Sequence, residues 1–120
     1  MIDKINVASK FDLFGEYWSP KIIGELNETF VKAVKLKGEF VWHSHQVEDE
    51  MFYVFRGRLR ILLRDRELNL EAGEFVVIPH GVEHLPIADD EAFVLLFEPR
   101  STVNTGTSRT DRTVDVLERI

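Results

Sequence analysis

Residues 38–57 read GEFVWHSHQVEDEMFYVFRG, and His43 and His45 lie two positions apart in a strand-like segment of this stretch. In a β-strand, side chains two residues apart point to the same face, so both imidazoles would project together. Glu50 opens the next apolar segment, and the polar residues 46–49 before it can form a loop that returns its carboxylate to the histidine pair. The stretch therefore predicts three metal-ligand side chains close together on neighbouring strands.

A second stretch carries the other two histidines of the chain. Residues 73–88 read GEFVVIPHGVEHLPIA, with His80 and His84 four positions apart. On a helix that spacing would suggest a zinc pair, but Pro79 and Pro86 disfavour a helix here. We expect His80 in a solvent-facing turn, where a supporting or proton-shuttle role stays open. We expect His84 on a strand that brings it to the first histidine pair inside a closed sheet.

The two stretches together predict one metal site. Neutral imidazoles and a carboxylate that converge from separate strands suit a divalent transition metal. Glu48 lies in the same loop as Glu50 and is the alternative carboxylate, although Glu48 and Asp49 are most simply solvated loop charges. The predicted metal ligands are His43, His45, Glu50 and His84.

Short segments of alternating apolar and polar residues continue on both sides of the motifs. The clearest is residues 58–64, where Leu59, Ile61 and Leu63 share one face. Turn-forming residues separate the segments, among them an acidic pair at positions 89 and 90. The candidate strands are residues 21–26, 29–36, 39–44, 50–55, 58–64, 67–70, 74–78, 82–88 and 92–97. Many short strands at regular spacing predict an all-β protein with a closed sandwich or barrel.

The N-terminal segment, residues 1–15, predicts a short helix. Asn6 is a suitable N-cap and Gly15 can end the helix. Val7, Phe11 and Phe14 fall on one helical face in this segment. We expect this apolar face to cover one end of the barrel.

The last part of the chain, residues 99–120, is predicted to be a polar surface tail. Serine, threonine, asparagine and arginine dominate residues 101–113. Val114, Leu117 and Ile120 recur at intervals of three residues. The last turn or two is therefore expected to be helical and to pack on the barrel or on a second subunit.

Length and composition limit the class of function. The chain has 120 residues, of which 44% are hydrophobic and 30% charged, which predicts one folded domain over residues 1–120. A net charge of −6 disfavours nucleic-acid binding. No apolar run approaches the roughly 20 residues of a membrane-spanning helix. The chain has no cysteine and its N-terminus lacks the layout of a signal peptide, so a cytoplasmic location is expected.

Both histidine motifs resemble those of the cupin family. The first cupin motif has the form G-x5-H-x-H-x3/4-E-x6-G, and residues 38–57 match it with four residues instead of five after the first glycine. The second has the form G-x5-P-x-G-x2-H-x3-N, and residues 73–88 match it with Ala88 in place of the asparagine. The resemblance covers residues 38–88, about half of the chain.

The resemblance implies a cupin double-stranded β-helix, or jelly-roll barrel, over roughly residues 19–98, with one metal held by His43, His45, Glu50 and His84. Family members with this ligand set use iron, manganese, nickel, zinc or copper. Four protein ligands on an octahedral metal leave two adjacent positions for a substrate, or for a substrate and dioxygen. This implies a metal-dependent enzyme, dioxygenase-like or isomerase-like, for a small oxygen-rich molecule. A non-catalytic small-molecule or metal-binding barrel is the alternative.

Two further expectations concern catalysis and assembly. Tyr53, His80 and Glu83 are candidates for a general acid or base by residue type alone. Cupins commonly pair through N-terminal strands, and the apolar residues 21–23 and 30–31 have no obvious cover within the chain. A homodimer is therefore expected.

Overall fold

Strands dominate the protein, and the predicted all-β class is confirmed. The computed structural model describes residues 2–120, so Met1, the first residue of the predicted N-terminal segment, lies outside the described residues. The helix is α1 (Val7–Phe11), and the strands are β1 (Lys21–Leu26), β2 (Thr29–Glu39), β3 (Glu50–Arg56), β4 (Arg58–Leu63), β5 (Glu67–Glu71), β6 (Phe75–Ile78), β7 (His84–Pro99) and β8 (Glu118–Arg119). Residues 2–120 include no helix that could span a membrane.

Strand β7 joins the two parts of the sheet. Strand β2 pairs with β7 along most of its length, whereas β4 pairs only with the first part of β7 and β3 only with the second part. The hydrogen-bonded order is β5-β4-β7-β2-β1-β8, with β3 paired to β7 and β6 paired to β3. Over the described residues this order does not return on itself. The jelly roll is therefore open, and the prediction of a closed sheet is wrong in that respect.

Apolar side chains that alternate along the strands build the interior. In β4, Leu59 and Ile61 are fully buried, whereas Arg58 is exposed, as the alternating pattern predicts. The inward residues of five other strands join them in one cluster: Val34, Leu36, Phe52, Val54, Leu70, Ile78, Val94 and Leu96. Full burial of one such side chain contributes about 1.5–3 kcal/mol. This cluster stabilises the strands that carry the histidine motifs.

The N-terminal helix is present but shorter than predicted. Asn6 caps it as expected, because its Oδ1 accepts a hydrogen bond from Ser9 N at 3.0 Å. The helix ends at Phe11, with Asp12 as its C-cap, well before the predicted end at Gly15.

The helix lies on the outer face of the sheet, so the prediction that it covers one end of the barrel is wrong. The ring of Phe11 stacks on that of Phe93 with centroids 4.7 Å apart. Phe14, Ala33 and Leu95 belong to the same outer cluster. Strands β2, β3 and β7 are apolar on both faces, and their outer face therefore needs a cover of its own.

The predicted strands 82–88 and 92–97 are one continuous strand, and the predicted turn between them is wrong. The β2–β7 register moves from Leu36↔Ala92 to Gly38↔Ala88, so β7 accommodates extra residues as a bulge. Arg60 holds this bulge, since its Nε and Nη2 donate to the carboxylate of Asp89 at 2.8 and 3.0 Å. The chain therefore continues through the acidic residues without reversing.

The predicted strand 39–44 is also wrong, because β2 ends at Glu39. Phe40 N donates to Pro86 O at 3.0 Å, but a proline has no N–H with which to return the bond. Further along this segment only His43 forms a β-bridge, with His84. The segment therefore follows β7 without a regular ladder.

The C-terminus is a strand, so the predicted terminal helix is wrong. Strand β8 pairs in parallel with β1, and Ile120 N donates to Ile22 O at 3.1 Å. The side chain of Ile120 packs in the outer cluster. Ile22 and Ile23 are each only 6% exposed, so the expectation that residues 21–23 lack cover within the chain is also wrong.

Candidate metal centre

Short backbone hydrogen bonds hold the two histidine motifs together. His43 N donates to His84 O at 3.1 Å, and His84 N donates to His43 O at 2.9 Å. Gly81 N donates to His45 O at 2.7 Å, which fixes the turn of the second motif against the first. The structure therefore brings His84 to the first histidine pair, as the sequence predicts.

Backbone carbonyls fix the tautomers of two imidazoles. Nδ1 of His43 lies 2.9 Å from Val41 O, and Nδ1 of His84 lies 2.9 Å from Val82 O. Because a carbonyl can only accept, each Nδ1 carries the proton and each Nε2 keeps a free lone pair. In both cases the carbonyl belongs to the residue two positions earlier, so the local backbone itself orients the ligand atom.

Glu50 lies beside these imidazoles. Its Oε1 is 3.3 Å from His84 Nε2 and 3.4 Å from His45 Nε2. Glu48, the alternative carboxylate, instead accepts a hydrogen bond from Ser101 Oγ at 2.8 Å. Ligand atoms from all four predicted residues lie within 4.8 Å of one another, and all four side chains are buried: His43, His45, Glu50 and His84.

The unsatisfied nitrogens of His45 indicate what the cluster can accept. Among residues 2–120, neither ring nitrogen of this buried imidazole has a hydrogen-bond partner. A buried polar group without a partner costs about 1–3 kcal/mol. Coordination of a cation would remove that cost, and three imidazole nitrogens with one carboxylate suit a divalent transition metal. The four residues thus fit such an ion and form a group that could hold it.

The surroundings keep an imidazole neutral and the carboxylate charged. Burial, reinforced by the neighbouring His84, lowers the pKa of His43 to about 4. Burial alone would raise the pKa of Glu50, but the neighbouring side chains of Glu98, His45 and His84 hold this pKa well below its usual range. Neutral imidazole and ionised carboxylate are the forms that bind metal ions.

The lowered pKa of His43 predicts that the metal-free protein loses stability as the pH falls. An ordinary histidine titrates at 6.5, so between pH 6.5 and about 4 the unfolded chain binds more protons at this position than the folded one. The contribution of neutral His43 to the free energy of unfolding is complete above pH 6.5, and about 3 kcal/mol of it is lost by pH 4. Urea unfolding with a chelator present, at pH 7 and pH 4.5, measures it. H43Q should lose less stability over this range, and equal losses in the two proteins would contradict the prediction.

Glu98 and Lys32 extend the buried polar cluster beyond the predicted ligands. Both are almost completely buried, and Lys32 Nζ lies 2.7 Å from Glu98 Oε1. Burial, and then the charge of the neighbouring Glu50, raises the pKa of Glu98 well above its usual range. Sequence reasoning missed both residues. The alternation that points Val34 and Leu96 inward also points Lys32 and Glu98 inward, and it could have identified them.

A small apolar cavity lies next to His43 and Glu50. Its volume is about 30 Å³, and its walls include Trp18, Phe52 and Leu96. This is room for little more than water, whereas pockets for drug-sized ligands start at about 300 Å³. A substrate of several heavy atoms therefore needs another approach to the cluster.

The C-terminal tail covers the cluster beside His45. Thr107 N donates to Ser44 O at 3.0 Å. Gly106 has φ 55°, and a Cβ there would clash with Ser44 O and lie 3.1 Å from His45 Nδ1. An open cleft of about 190 Å³ separates the tail from residues 46–48 and reaches His45. The tail, predicted only as a surface element, thus forms one wall of the site.

The three candidate general bases lie away from the four-residue cluster. Tyr53 belongs to the outer hydrophobic cluster on the opposite face of β3. His80 is exposed, and its Nδ1 lies 2.9 Å from Asp49 Oδ1. Glu83 is exposed and lies 3.3 Å from Arg64 Nη2. A catalytic role for any of the three stays a prediction.

Known proteins are similar to this chain in both fold and sequence. The sequence profile of the cupin domain family matches residues 31–97. The chain is similar to the crystal structure of a cupin-2 domain containing protein from Shewanella frigidimarina, with 50% identity, a TM-score of 0.79 and coverage of 80% of this chain and 94% of the other. It is also similar to protein NMB1881 from Neisseria meningitidis, with 28% identity, a TM-score of 0.74 and coverage of 81% and 99%.

A curated relative matches a shorter stretch. The uncharacterized protein YdbB of Bacillus subtilis is 38% identical over 63 residues. The match covers 52% of this chain and 56% of YdbB, so the chain spans little more than half the length of that relative.

The fold is an open jelly roll, and three histidines and one glutamate are buried close together inside it. These two features are those of a cupin with a group that could hold a metal. The family profile covers more than half of the chain, and a solved cupin-2 structure shares its fold at 50% identity. The chain belongs to the cupin domain family, and the resemblance seen in its two motifs is confirmed.

Proposed function

We propose that this cupin binds one divalent transition metal through His43, His45, Glu50 and His84. The observation that carries the proposal is the approach of four buried ligand atoms to within 4.8 Å of one another. The unpartnered nitrogens of His45 and the carbonyl-fixed tautomers of His43 and His84 support it. Iron, manganese, nickel, zinc and copper all suit this ligand set, because imidazole and carboxylate bind each of them.

We further propose that the protein is a metal-dependent enzyme, dioxygenase-like or isomerase-like, for a small oxygen-rich molecule. A metal held by four protein ligands would supply Lewis acidity at its open positions. Glu50 keeps a negative charge at the site, and the apolar wall formed by Phe52 and Leu96 excludes bulk water. The 190 Å³ cleft beside His45, bordered by polar groups such as Ser101 and Thr107, is the proposed entrance for the molecule.

A second candidate function is a barrel that holds a metal or a small molecule without turnover. The cavity of about 30 Å³ next to Glu50 favours it, because this volume leaves no room for an organic substrate on that side. The tail that packs against Ser44 also restricts the approach to the cluster.

Metal analysis followed by oxygen-uptake and isomerisation assays tests the two candidates. The purified protein should contain about one transition-metal ion per chain. Oxygen consumption or isomerisation with one member of a panel of keto acids, hydroxy acids, phenols and sugar derivatives, lost after chelation and restored by the metal, would support the enzyme. Stoichiometric metal without turnover across the panel would favour the second candidate. A protein that takes up no metal would contradict both.

We also propose that the chain forms a homodimer, through β6 instead of the N-terminal strands. Phe75 and Val77 on the outer face of β6 are 59% and 47% exposed, and β6 pairs only with β3 among the described residues. An apolar, exposed edge strand is a surface that a second copy can cover.

A cytoplasmic location stays a prediction.

Size-exclusion chromatography with light scattering should give twice the 13.9 kDa chain mass. F75E should shift the protein towards the monomer, because it places a charge in the proposed apolar contact. V116E is the matched control, since Val116 is 88% exposed in the tail. A monomeric wild-type protein, or equal effects of the two variants, would argue against this interface.

A further inference from the structure

The interior of the jelly roll contains an ion pair that its packing does not require. Lys32 and Glu98 have side chains that are each 1% exposed, and Nζ lies 2.7 Å from Oε1. Their neighbours on the same strand faces, Val34 and Leu96, are core residues. Removing two charges from water costs several kcal/mol per ion before the pair is formed. Hydrophobic residues of similar volume often replace such a pair without loss of stability, so its presence here calls for another role.

The strand register places Glu98 directly beside the metal-ligand carboxylate. Strands β3 and β7 pair through Met51↔Phe97 and Phe52↔Leu96. One position further along the same antiparallel register, Glu50 faces Glu98, and both side chains point inward. Both carboxyl groups are buried, so Glu98 and Glu50 are interior neighbours across the two strands.

Lys32 contacts only one of the two carboxyl oxygens of Glu98. Oε1 of Glu98 accepts from Lys32, whereas Oε2 is buried and meets no ordinary donor in residues 2–120. The buried side chains thus form a continuous series that runs from Lys32 through Glu98 and Glu50 to the Nε2 atoms of His45 and His84.

We propose that Glu98, anchored by Lys32, is a positioning residue that holds the Glu50 carboxylate in place for metal binding. The inference rests on the proposed metal site. Ligating carboxylates and imidazoles are commonly oriented by hydrogen bonds from outside the ligand set, and loss of such a partner weakens metal affinity about 10- to 100-fold. The backbone carbonyls of Val41 and Val82 orient two imidazoles here, and Glu98 does the same for the carboxylate.

Three variants separate positioning from folding. The double variant K32M/E98L removes the whole ion pair and leaves no buried unpaired charge, so it should fold with a melting temperature close to that of the wild type. E98Q keeps a group that can accept from Lys32 and donate to Glu50. L70A is a core control on β5, chosen because Leu70 is buried in the same interior cluster.

Cobalt(II) is the probe, and its Kd is measured by competition with a chelator while its visible absorption reports the ligand geometry. K32M/E98L should bind Co²⁺ about 10- to 100-fold more weakly than the wild type, with altered absorption bands. E98Q should stay within about threefold of the wild type and keep its bands, whereas L70A should lose stability without losing affinity.

Wild-type affinity and spectrum in K32M/E98L would overturn the proposal, and so would a loss in E98Q as large as that in the double variant. An equal loss of affinity in L70A would also overturn it, since affinity would then follow stability alone. Failure of the metal site itself gives a different result, because the wild type and H45A would then both fail to bind Co²⁺ stoichiometrically.

Discussion

Replacing His45 with alanine should abolish stoichiometric metal uptake while leaving the fold intact. His45 contributes one of only four ligand atoms in the proposed site, and its Nε2 lies 3.4 Å from Glu50 Oε1. The metal-free protein should tolerate the change, because within the described residues neither ring nitrogen of His45 makes a hydrogen bond that would be lost. Metal content after loading and gel filtration measures the uptake, and circular dichroism measures the fold.

H80A is the matched control for this experiment. His80 is the fourth histidine of the chain, but it is exposed and bonded to Asp49 outside the cluster. It should take up as much metal as the wild type. Retained uptake in H45A, or a loss in H80A as large as in H45A, would remove the assignment of the site.

Replacing Gly57 with alanine should destabilise the protein by about 2–5 kcal/mol. Gly57 has φ 83°, and a side chain in this region costs about 1–2 kcal/mol. A Cβ at this position would also lie 2.6 Å from Glu91 O and 3.1 Å from the Cα of Ala92, which adds about 1–3 kcal/mol for overpacking. Gly57 connects β3, which carries Glu50, to β4, so the clash opposes the packing of this turn on β7. Urea unfolding in the presence of a chelator gives the free energy.

G38A separates backbone strain from this clash. Gly38 has φ 84°, yet a Cβ there would meet nothing within 4 Å among the described residues. G38A should therefore lower the free energy of unfolding only by the cost of the backbone conformation, about 1–2 kcal/mol. Equal destabilisation of the two variants would show that the contact with Glu91 and Ala92 is unimportant.

The grouping of the four candidate ligands was predictable in part because half of it is local. Residues two apart on an extended segment share a face, which places His43 beside His45 whatever the rest of the chain does. The spacing of the motifs then identified Glu50 and His84, and the structure brings all four ligand atoms together. Alternation in β4 likewise predicted the buried positions of Leu59 and Ile61.

Other features depend on pairings between distant parts of the chain. Strands with apolar residues on both faces do not reveal which layer covers which face, so the position of Phe11 outside the sheet could not be deduced. The apolar repeat that ends at Ile120 is compatible with a helical turn and with an edge strand. It forms a strand because it pairs with the edge of β1. In the sequence alone, Lys32 and Glu98 look like ordinary surface charges. Their place beside Glu50 depends on the strand register.

Anomalous diffraction from crystals of the metal-loaded protein would locate the bound ion and identify its ligands. Data collected above and below the absorption edge of the bound metal should give one strong peak in each chain. That peak should lie about 2.0–2.2 Å from the Nε2 atoms of His43, His45 and His84 and from a carboxylate oxygen of Glu50. A map without a peak at this point, or with its main peak at a surface group such as His80, would contradict metal binding by these four residues.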